Sequence, residues 1–371
     1  MSQQFAYAHS AAADWRRAVS ECVDMLHGFA GNLGFLYVSD LFASELPAIL
    51  AALRQAADIQ DWSGSVGLGV CATNQEYLAQ PAMVMLVANL PADAYALLPS
   101  VRHEEDLNQG PAPFEIAGQP AAFGVVHGDP RNSLIAELLG QVAQRTLTGF
   151  LTGGLSSSRY QTYQVSGEVC EGGLSGVLFS QGVSVITGLT QGVSPLARQH
   201  LITDCQDNIL ITLDHRPALD VLEEDIGDVL ARDLQRAAAE VFIGLPVAGS
   251  DMADYKVRPI VAIDPKNRLL AIAESVQTGD PLFFGRRDTQ AAAADMRRML
   301  RGLQARLGGP PKGGLYFSCL GRGEGLFGPD SAELRMISAV LGDFPLAGFY
   351  ANGEISHDRL YGYTGVLTLF T

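Results

Sequence analysis

Cationic side chains are scarce in this 371-residue chain: 25 Lys and Arg stand against 40 Asp and Glu, a formal charge of -15. That balance withholds the attraction to phosphate backbones on which nucleic-acid binding rests, and it disfavours anionic membranes. Long apolar runs are missing as well. Ala82 to Leu90 and Gly365 to Phe370 reach about half the length of a membrane-spanning helix. The start of the sequence, MSQQFAYAHSAAADWRR, has no basic segment leading into an apolar one. No secretory signal is therefore expected, and the expected setting is that of a soluble, cytoplasmic, bacterial-type protein.

Cysteine spacing is equally uninformative for metal or disulfide chemistry. Cys22, Cys71, Cys170, Cys205 and Cys319 are odd in number and form no C-x-x-C pair, which fits neither a disulfide framework nor a zinc site. The histidines include no H-x-x-x-H or H-E-x-x-H spacing. An axial haem ligand needs no spacing at all, so His9, His127 and His357, in or beside expected strands, are the candidates for that role. A nucleophile elbow is absent, because Gly172 to Gly176 reads Gly-Gly-Leu-Ser-Gly and puts serine at the wrong position. Cys319, at the end of an expected strand, leaves one enzymatic alternative, a hydrolase using its thiolate, although no general base stands near it in the sequence.

Hydrophobic residues make up 47% of the chain, ordinary for a globular protein of two or three domains. Trp15, Ala18, Val19, Cys22, Met25, Leu26 and Phe29 follow Asp14 at helical spacing. Next come an apolar strand from Leu33 to Val38, a second helix through Leu46, Ile49, Leu50 and Leu53, and strands over Trp62 to Val70 and Ala82 to Leu90. The same order recurs at the other end. A helix through Met296, Met299, Leu300 and Leu303 precedes strand Leu315 to Leu320, a helix from about Ser331 to Leu341, strand Leu346 to Gly353 and a final run from Tyr363 to Phe370. Ala122 to His127, Ser133 to Val142 and Gly149 to Leu155 form a third related strand-helix-strand unit. Gly176 to Gly192 reads as paired strands turning at Gln181-Gly182, and Asp264 to Asn267 as the turn of another hairpin. The expected fold class is α/β in the mixed α+β sense. It comprises two packed domains, residues 1–194 and 195–371, with mixed sheets covered by helices, an internal pseudo-repeat and a layered α-β-β-α arrangement as one form.

Gly323-x-Gly325-x-x-Gly328 sits between a strand and a helix, the setting of a dinucleotide fingerprint. Pro329 and Asp330 follow the third glycine, however, and Asp330 with Glu333 reads as a capping-box variant that starts the helix only there. A glycine-rich turn beside Arg322, able to hold an anionic group, is the better reading. Small residues also end three expected strands: Ser63 to Ser65 with Gly67 and Gly69, Gly153-Gly154 with Ser156 to Ser158, and Ala347-Gly348 with Asn352-Gly353. Glycine inside a strand marks close approach of a ligand or of another backbone. Strand ends are where α/β proteins place ligands. The candidate ligand-binding residues are therefore Ser65, Gly154, Ser318, Cys319, Arg322, Gly323, Asn352, Gly353 and Glu354. Arg322 is expected to pair a carboxylate, Glu354 an amine, and Asn352 to fix orientation.

Several segments in order resemble a known family. GFLYVSDLFASELPAILAALRQAADIQDWSGSVGLGV from Gly34 to Val70, TGGLSSS at 152–158 and EGGLSGV at 171–177 resemble the N-terminal FIST sensory domain. FSCLGRG at 317–323, PLAGFYANGEI at 345–355 and YGYTGVLTLF at 361–370 resemble the C-terminal FIST domain. The resemblance implies a stand-alone ligand-sensing protein of signal transduction and no enzyme. Amino acids or their derivatives are the implied ligands, and a partner protein is implied as the receiver of the signal. It also implies an alternative, since some similar stand-alone proteins are haem-dependent nitric oxide sensors acting on a histidine kinase.

Overall fold

A computed structural model describes residues 4–108, 114–247 and 254–371. The chain divides into two compact units, one formed by Met1–Thr190 with Asp295–Thr371, the other by Gln191–Ala294. The expected cut at residue 194 falls within Val193–Pro195, a strand of the second unit.

The first unit holds three repeats where the sequence most clearly displayed two. In each, a pair of parallel strands is joined through a crossover helix, as parallel pairing requires. The pairs are Leu33–Ser39 with Asp61–Gly67, Phe123–Gly128 with Phe150–Leu155, and Gly313–Cys319 with Leu346–Ala351. Their helices are Leu46–Ala57, Ile135–Gln144 and Ala332–Leu341. An antiparallel strand flanks each pair on one side: Met83–Ala88, Leu174–Phe179 and Thr364–Phe370. Another strand completes that side: Phe5–Ser10, Tyr95–Val101 and Val185–Gln191.

The opposite side of each sheet is filled from a different repeat. The hairpin of the first repeat, Gly69–Ala72 with Gln75–Leu78, joins the third sheet. The hairpin of the second, Gln164–Ser166 with Glu168–Cys170, joins the first sheet. The hairpin of the third, Glu354–Ser356 with Arg359–Tyr361, joins the second. The exchange is cyclic, and each of the three six-stranded sheets has the same order. Gly176 to Gly192 departs from expectation. Its two strands enter different sheets, because Leu174–Phe179 already has neighbours on both sides in Phe123–Gly128 and Tyr95–Val101.

Alternation along a strand sends successive side chains to opposite faces. One face of every sheet meets a common core that includes Phe35, Tyr37, Val125, Phe179, Leu315, Phe317, Phe349 and Phe370. The other faces pack on the helices in three separate clusters, around Leu36, Val126 and Tyr316. Tyr37, His127 and Phe317 occupy matched positions and meet in a triangle, their ring centroids 5.5, 6.0 and 6.1 Å apart. Phe349 stacks on Tyr37 at 5.2 Å. Its counterparts in the other repeats, Ser65 and Gly154, leave room for that ring.

Gly64, Gly153 and Gly348 are matched as well, opposite Leu36, Val126 and Tyr316 across the parallel pairs. A Cβ at any of them would lie 1.8 Å from the carbonyl oxygen of that opposite residue. These strand glycines therefore serve close backbone packing, one of the two meanings glycine has inside a strand.

In the second unit, Pro281–Arg287 pairs with both His200–Gln206 and Val241–Pro246. The intervening pairings run through Ile209–Leu213, Leu269–Ile272 and Tyr255–Asp264 and so return to their start. The interior contains Ile202, Leu213, Ile243, Leu270, Ile272 and Phe284, with Leu219 and Leu222 from helix Ala218–Ala231. Asp264 to Asn267 forms the expected hairpin turn, with Asp264 opposite Leu269.

Gly64→Ala and Gly348→Ala should each destabilise the protein by at least about 1–3 kcal/mol, the range for overpacking a filled interior. Gly302 lies inside helix Thr289–Arg306 with nothing near its would-be Cβ, so Gly302→Ala should stabilise by about 0.5–1 kcal/mol. Denaturant midpoints of the three variants check the opposite signs.

Candidate functional site

Strand Gly313–Cys319 alternates at its end. Tyr316 packs toward the helices and Phe317 toward the shared core. Beyond it the chain turns through Arg322 and Gly323 into the short helix Glu324–Phe327, and Gly328, at φ 92°, ends that helix. The third glycine of the Gly-x-Gly-x-x-Gly pattern is thus a terminator and not part of a dinucleotide-binding helix.

Glu333, in the first turn of the following helix, is fully buried and gathers four donors. Its Oε1 accepts from the Tyr316 hydroxyl and from Arg322 Nε, both at 2.7 Å. Its Oε2 accepts from Ser318 Oγ and from the Gly323 amide, both at 3.1 Å. The expected capping box is replaced by this arrangement, with Ser331 at the N-cap position making no side-chain cap bond.

Arg322 is 2% exposed and lies with its guanidinium 4.9 Å from the Phe327 ring centroid. Only its Nε is committed to Glu333. Among the described residues Nη1 and Nη2 are buried without an acceptor at close hydrogen-bond distance, with the Tyr316 hydroxyl near the guanidinium, an unusual state for groups whose desolvation is costly when unmatched. The first repeat contributes Glu76 through the exchanged hairpin. Tyr350 donates its hydroxyl to Glu76, and Glu76 receives a Cβ-sized contact at Gly323, where an added carbon would sit 3.1 Å from Oε2. Burial, followed by the charges of Glu333 and Glu324, raises the Glu76 carboxyl above its ordinary value, while the Tyr350 bond opposes the shift.

Glu354 opens the third repeat's hairpin and is fully buried. Its Oε2 accepts from the Thr364 amide at 3.1 Å and the Thr364 hydroxyl at 2.7 Å. Among the described residues its Oε1 meets no donor at close hydrogen-bond distance, and the Cys319 thiol lies beside the carboxyl. Burial pushes this carboxyl up to about 8, against the opposing effects of Thr364 and the Arg322 charge. Burial, with Glu354 beside it, also pushes the Cys319 thiol up to about 12. That thiol is protonated at neutral pH, so the structure does not supply the thiolate that the hydrolase alternative requires.

Of the residues singled out in the sequence, Ser318, Cys319, Arg322, Gly323 and Glu354 gather at this strand end. The others stand differently. Asn352 has an exposed side chain, and its amide donates to the Leu155 carbonyl at 3.0 Å. The Gly353 carbonyl accepts from the Leu155 amide at 2.9 Å. Ser65, in the first sheet, bonds at 2.9 Å to Ser156, just beyond strand Phe150–Leu155 of the second sheet. Gly154 lies against Ala351, 2.7 Å from where its own Cβ would be. Glu333 enters the sequence reading only as a cap, and Tyr316, Tyr350, Glu76 and Thr364 escape it, since nothing local marks a glutamate eleven residues on as the partner of Arg322, or one in another repeat as a neighbour of this loop.

The histidines test the haem alternative. His127 is fully buried, with Nε2 3.2 Å from the Tyr37 hydroxyl, Nδ1 3.5 Å from Ser63 Oγ, and Tyr37, Phe317 and Phe349 around its ring. Burial lowers it to about 3, leaving a neutral imidazole. A porphyrin does not fit against it without dismantling the shared core. His9 is half-buried and bonded through Nδ1 to the Tyr77 hydroxyl. His357 is an exposed residue with its ring edge-on to Phe150 at 4.7 Å.

A cleft of about 470 Å³ on the same unit is lined by other residues, among them Arg54, Arg102, Tyr163, Glu168 and Glu171. Its charges are already engaged, Arg54 with Glu168 and Arg102 with the Glu171 carbonyl. Unmatched chemistry, and not volume, selects the strand end.

Three mixed sheets in cyclic exchange, with a buried polar cluster at the third strand end, define a mixed α+β protein. The chain belongs to the FIST family: the FIST N domain matches residues 32–216 and the FIST C domain residues 218–357. FIST domains are small-ligand sensory domains of signal transduction. An uncharacterized protein of Mycobacterium tuberculosis is 28% identical over 97% of this chain and 98% of its own length. An uncharacterized protein of Mycobacterium bovis is 28% identical over 95% of this chain and 94% of its own. No helix among the described residues is long and apolar enough to cross a membrane.

Glu333→Gln should cost about 3–5 kcal/mol, as removal of one partner leaves a buried charge uncompensated. Glu354 yields a pH signature. A carboxyl raised from 4.5 to about 8 on folding contributes stability that is complete below pH 4.5 and is lost as pH rises through about 8. Unfolding midpoints at pH 5, 6.5 and 8 should fall more steeply for the native protein than for Glu354→Gln. Equal slopes would remove Glu354 as the source.

Proposed function

We propose that this protein is a cytoplasmic small-ligand sensor that binds an amino acid or a derivative at the Arg322 strand end and signals through a partner protein. The observation that carries this reading is the pair of buried Arg322 nitrogens without an acceptor, close enough to Glu354 for the guanidinium to weigh on its carboxyl. Glu333 anchors Nε, so the free edge of the guanidinium is held in one orientation and can receive a planar carboxylate through both Nη atoms. Phe327 covers one guanidinium face.

Sensing follows from differential affinity. The site joins the loop at Arg322 to a hairpin from the first repeat at Glu76, so an occupant favours whichever arrangement of these segments it contacts better. The haem-dependent alternative draws no support from His127, and purified protein without a Soret band would agree with that.

Melting temperatures with a panel of free amino acids test the proposal. A binder at about 100 times its Kd should add about 2.7 kcal/mol of stability. Arg322→Lys keeps a charge for Glu333 but removes the fork, and should abolish the rise while leaving the far-ultraviolet spectrum unchanged. A rise that survives this substitution would discard the site.

A further inference from the structure

We infer that the outer face of the two helices covering the Arg322 strand end is a docking surface for a partner protein with an acidic face, recognised by Arg297, Arg301 and Arg335. The inference rests on the sensor reading above only in taking that partner as the receiver of the signal. The docking chemistry stands on the helices themselves.

The helices are Thr289–Arg306 and Ala332–Leu341. Their inner faces, with Met296, Met299, Leu300 and Leu303 from the first and Leu334 and Ile337 from the second, pack with Tyr316 in one cluster. Each precedes one strand of the parallel pair Gly313–Cys319 and Leu346–Ala351, so the two run the same way. Near their C-terminal ends Gln304 Nε2 donates to the Val340 carbonyl at 2.6 Å. Arg335 precedes Val340 by five residues, and Arg301 and Arg297 precede Gln304 by three and seven. With a common rise per residue, the three side chains leave the layer at similar heights. All three are exposed, and none enters an ion pair among the described residues.

Charge on this layer runs against the rest of the chain. Acids outnumber bases 40 to 25 overall, yet these two helices carry five arginines and only two acids, Asp295 and Glu333. Glu333 is buried, and Asp295 is engaged by Arg298 Nε at 2.8 Å and the Thr190 hydroxyl at 3.0 Å. Helix stability does not explain the pattern. Arg297 and Arg301 are four residues apart, where like charges destabilise a helix and an acid with a base supports it. The chain uses the supporting pair elsewhere, at Arg17–Glu21 and Arg236–Glu240. Corresponding helices of the other repeats lack the feature, since Trp15–Met25 balances two arginines with Glu21 and Asp24, and Ile135–Gln144 has Glu137 alone.

Guanidinium groups take carboxylates through paired N–H donors, and arginine is enriched where proteins meet. Gly302, Ala305 and Ala339, also exposed on these helices, present no long side chain to hold a partner off. Charge is screened over about 8 Å at physiological salt. A compact acidic face therefore meets these arginines alone, whereas a nucleic acid or an anionic bilayer spreads over the surrounding acids of a chain carrying -15. Glu333, the anchor of Arg322, lies two residues before Arg335 on one helix. A partner seated there touches the element that an occupant of Arg322 biases.

Fluorescence anisotropy on the full-length protein tests this, with a labelled alanine-based helical peptide carrying glutamates four residues apart along one face, and its glutamine counterpart. The glutamate peptide should bind at least ten-fold more tightly than the glutamine peptide, with an affinity that falls as salt rises from 50 to 300 mM. Joint replacement by Arg297→Gln, Arg301→Gln and Arg335→Gln should remove the preference, whereas Arg16→Gln with Arg17→Gln on the first repeat's helix should keep it. Equal affinity of the native protein for the two peptides, a comparison that needs no variant, overturns the inference, as does a preference that survives the triple replacement. Tighter binding of a DNA duplex or of phosphatidylglycerol vesicles than of the glutamate peptide, lost in the triple variant, gives the face to a phosphate partner and overturns it too. Melting temperatures with amino acids judge the sensor reading separately. A rise with amino acids beside equal peptide affinities discards this surface and keeps the sensor; no rise beside an arginine-dependent peptide preference keeps the surface and discards the sensor.

Discussion

The approach of paired parallel strands at Gly64, Gly153 and Gly348 is the constraint on which the rest of the first unit depends. Each glycine lies where a side chain carbon would overlap the carbonyl oxygen across the pair. Without that proximity the parallel pairs could not keep their register, and the side chains they direct inward, Tyr37, His127 and Phe317, could not meet. The three sheets share one apolar core, so their mutual positions are set by close packing of rigid side chains and not by linkers. Cyclic exchange of hairpins adds a second restraint, because each sheet contains strands of two repeats.

The polar cluster at the third strand end is a consequence of broken symmetry. Matched positions in the repeats hold Leu36, Val126 and Tyr316, and only the last brings a hydroxyl toward the helix behind it. Ser318, Arg322 and Glu333 complete an interior ion pair whose acid is fully supplied while the base is half supplied. Burial of such a pair is weak support for stability, since desolvation consumes most of the Coulombic gain. The two unmatched nitrogens are the feature on which the proposed ligand site rests. Gln164 and Glu354 occupy equivalent register positions, opposite Ser65 and Gly154. Each leaves one oxygen unpartnered, but only Glu354 can change its charge.

The compact units cut across the family's sequence domains. The C-terminal strands 313–319, 346–351 and 364–370 assemble with the N-terminal 190 residues, while 191–294 folds on its own interior. An occupant at Arg322 therefore touches a sheet built from both ends of the chain, with Glu76 supplied from the N-terminal repeat. That construction suits a sensory domain, where a small contact must bias a larger arrangement.

Local chemistry was legible in the sequence wherever it depends on near neighbours. The amphipathic helices, the apolar strands and the turn at 264–267 follow from periodicity and backbone preference. The mixed α+β class was legible for the same reason, and so was the gathering of Ser318, Cys319, Arg322 and Gly323 within one strand end, while the FIST family was legible from the resemblance of whole segments in order. Which strands pair was not legible: Leu174–Phe179 and Val185–Gln191 look like one hairpin and belong to different sheets, because pairing is decided by free edges that only the folded chain possesses. The meaning of the strand glycines, the partnership of Glu333 with Arg322 and the burial of Glu354 likewise emerged in the tertiary structure. Each depends on burial and on partners distant in sequence or supplied by another element, and the energy of a buried charge is set by what surrounds it and not by the residue that carries it.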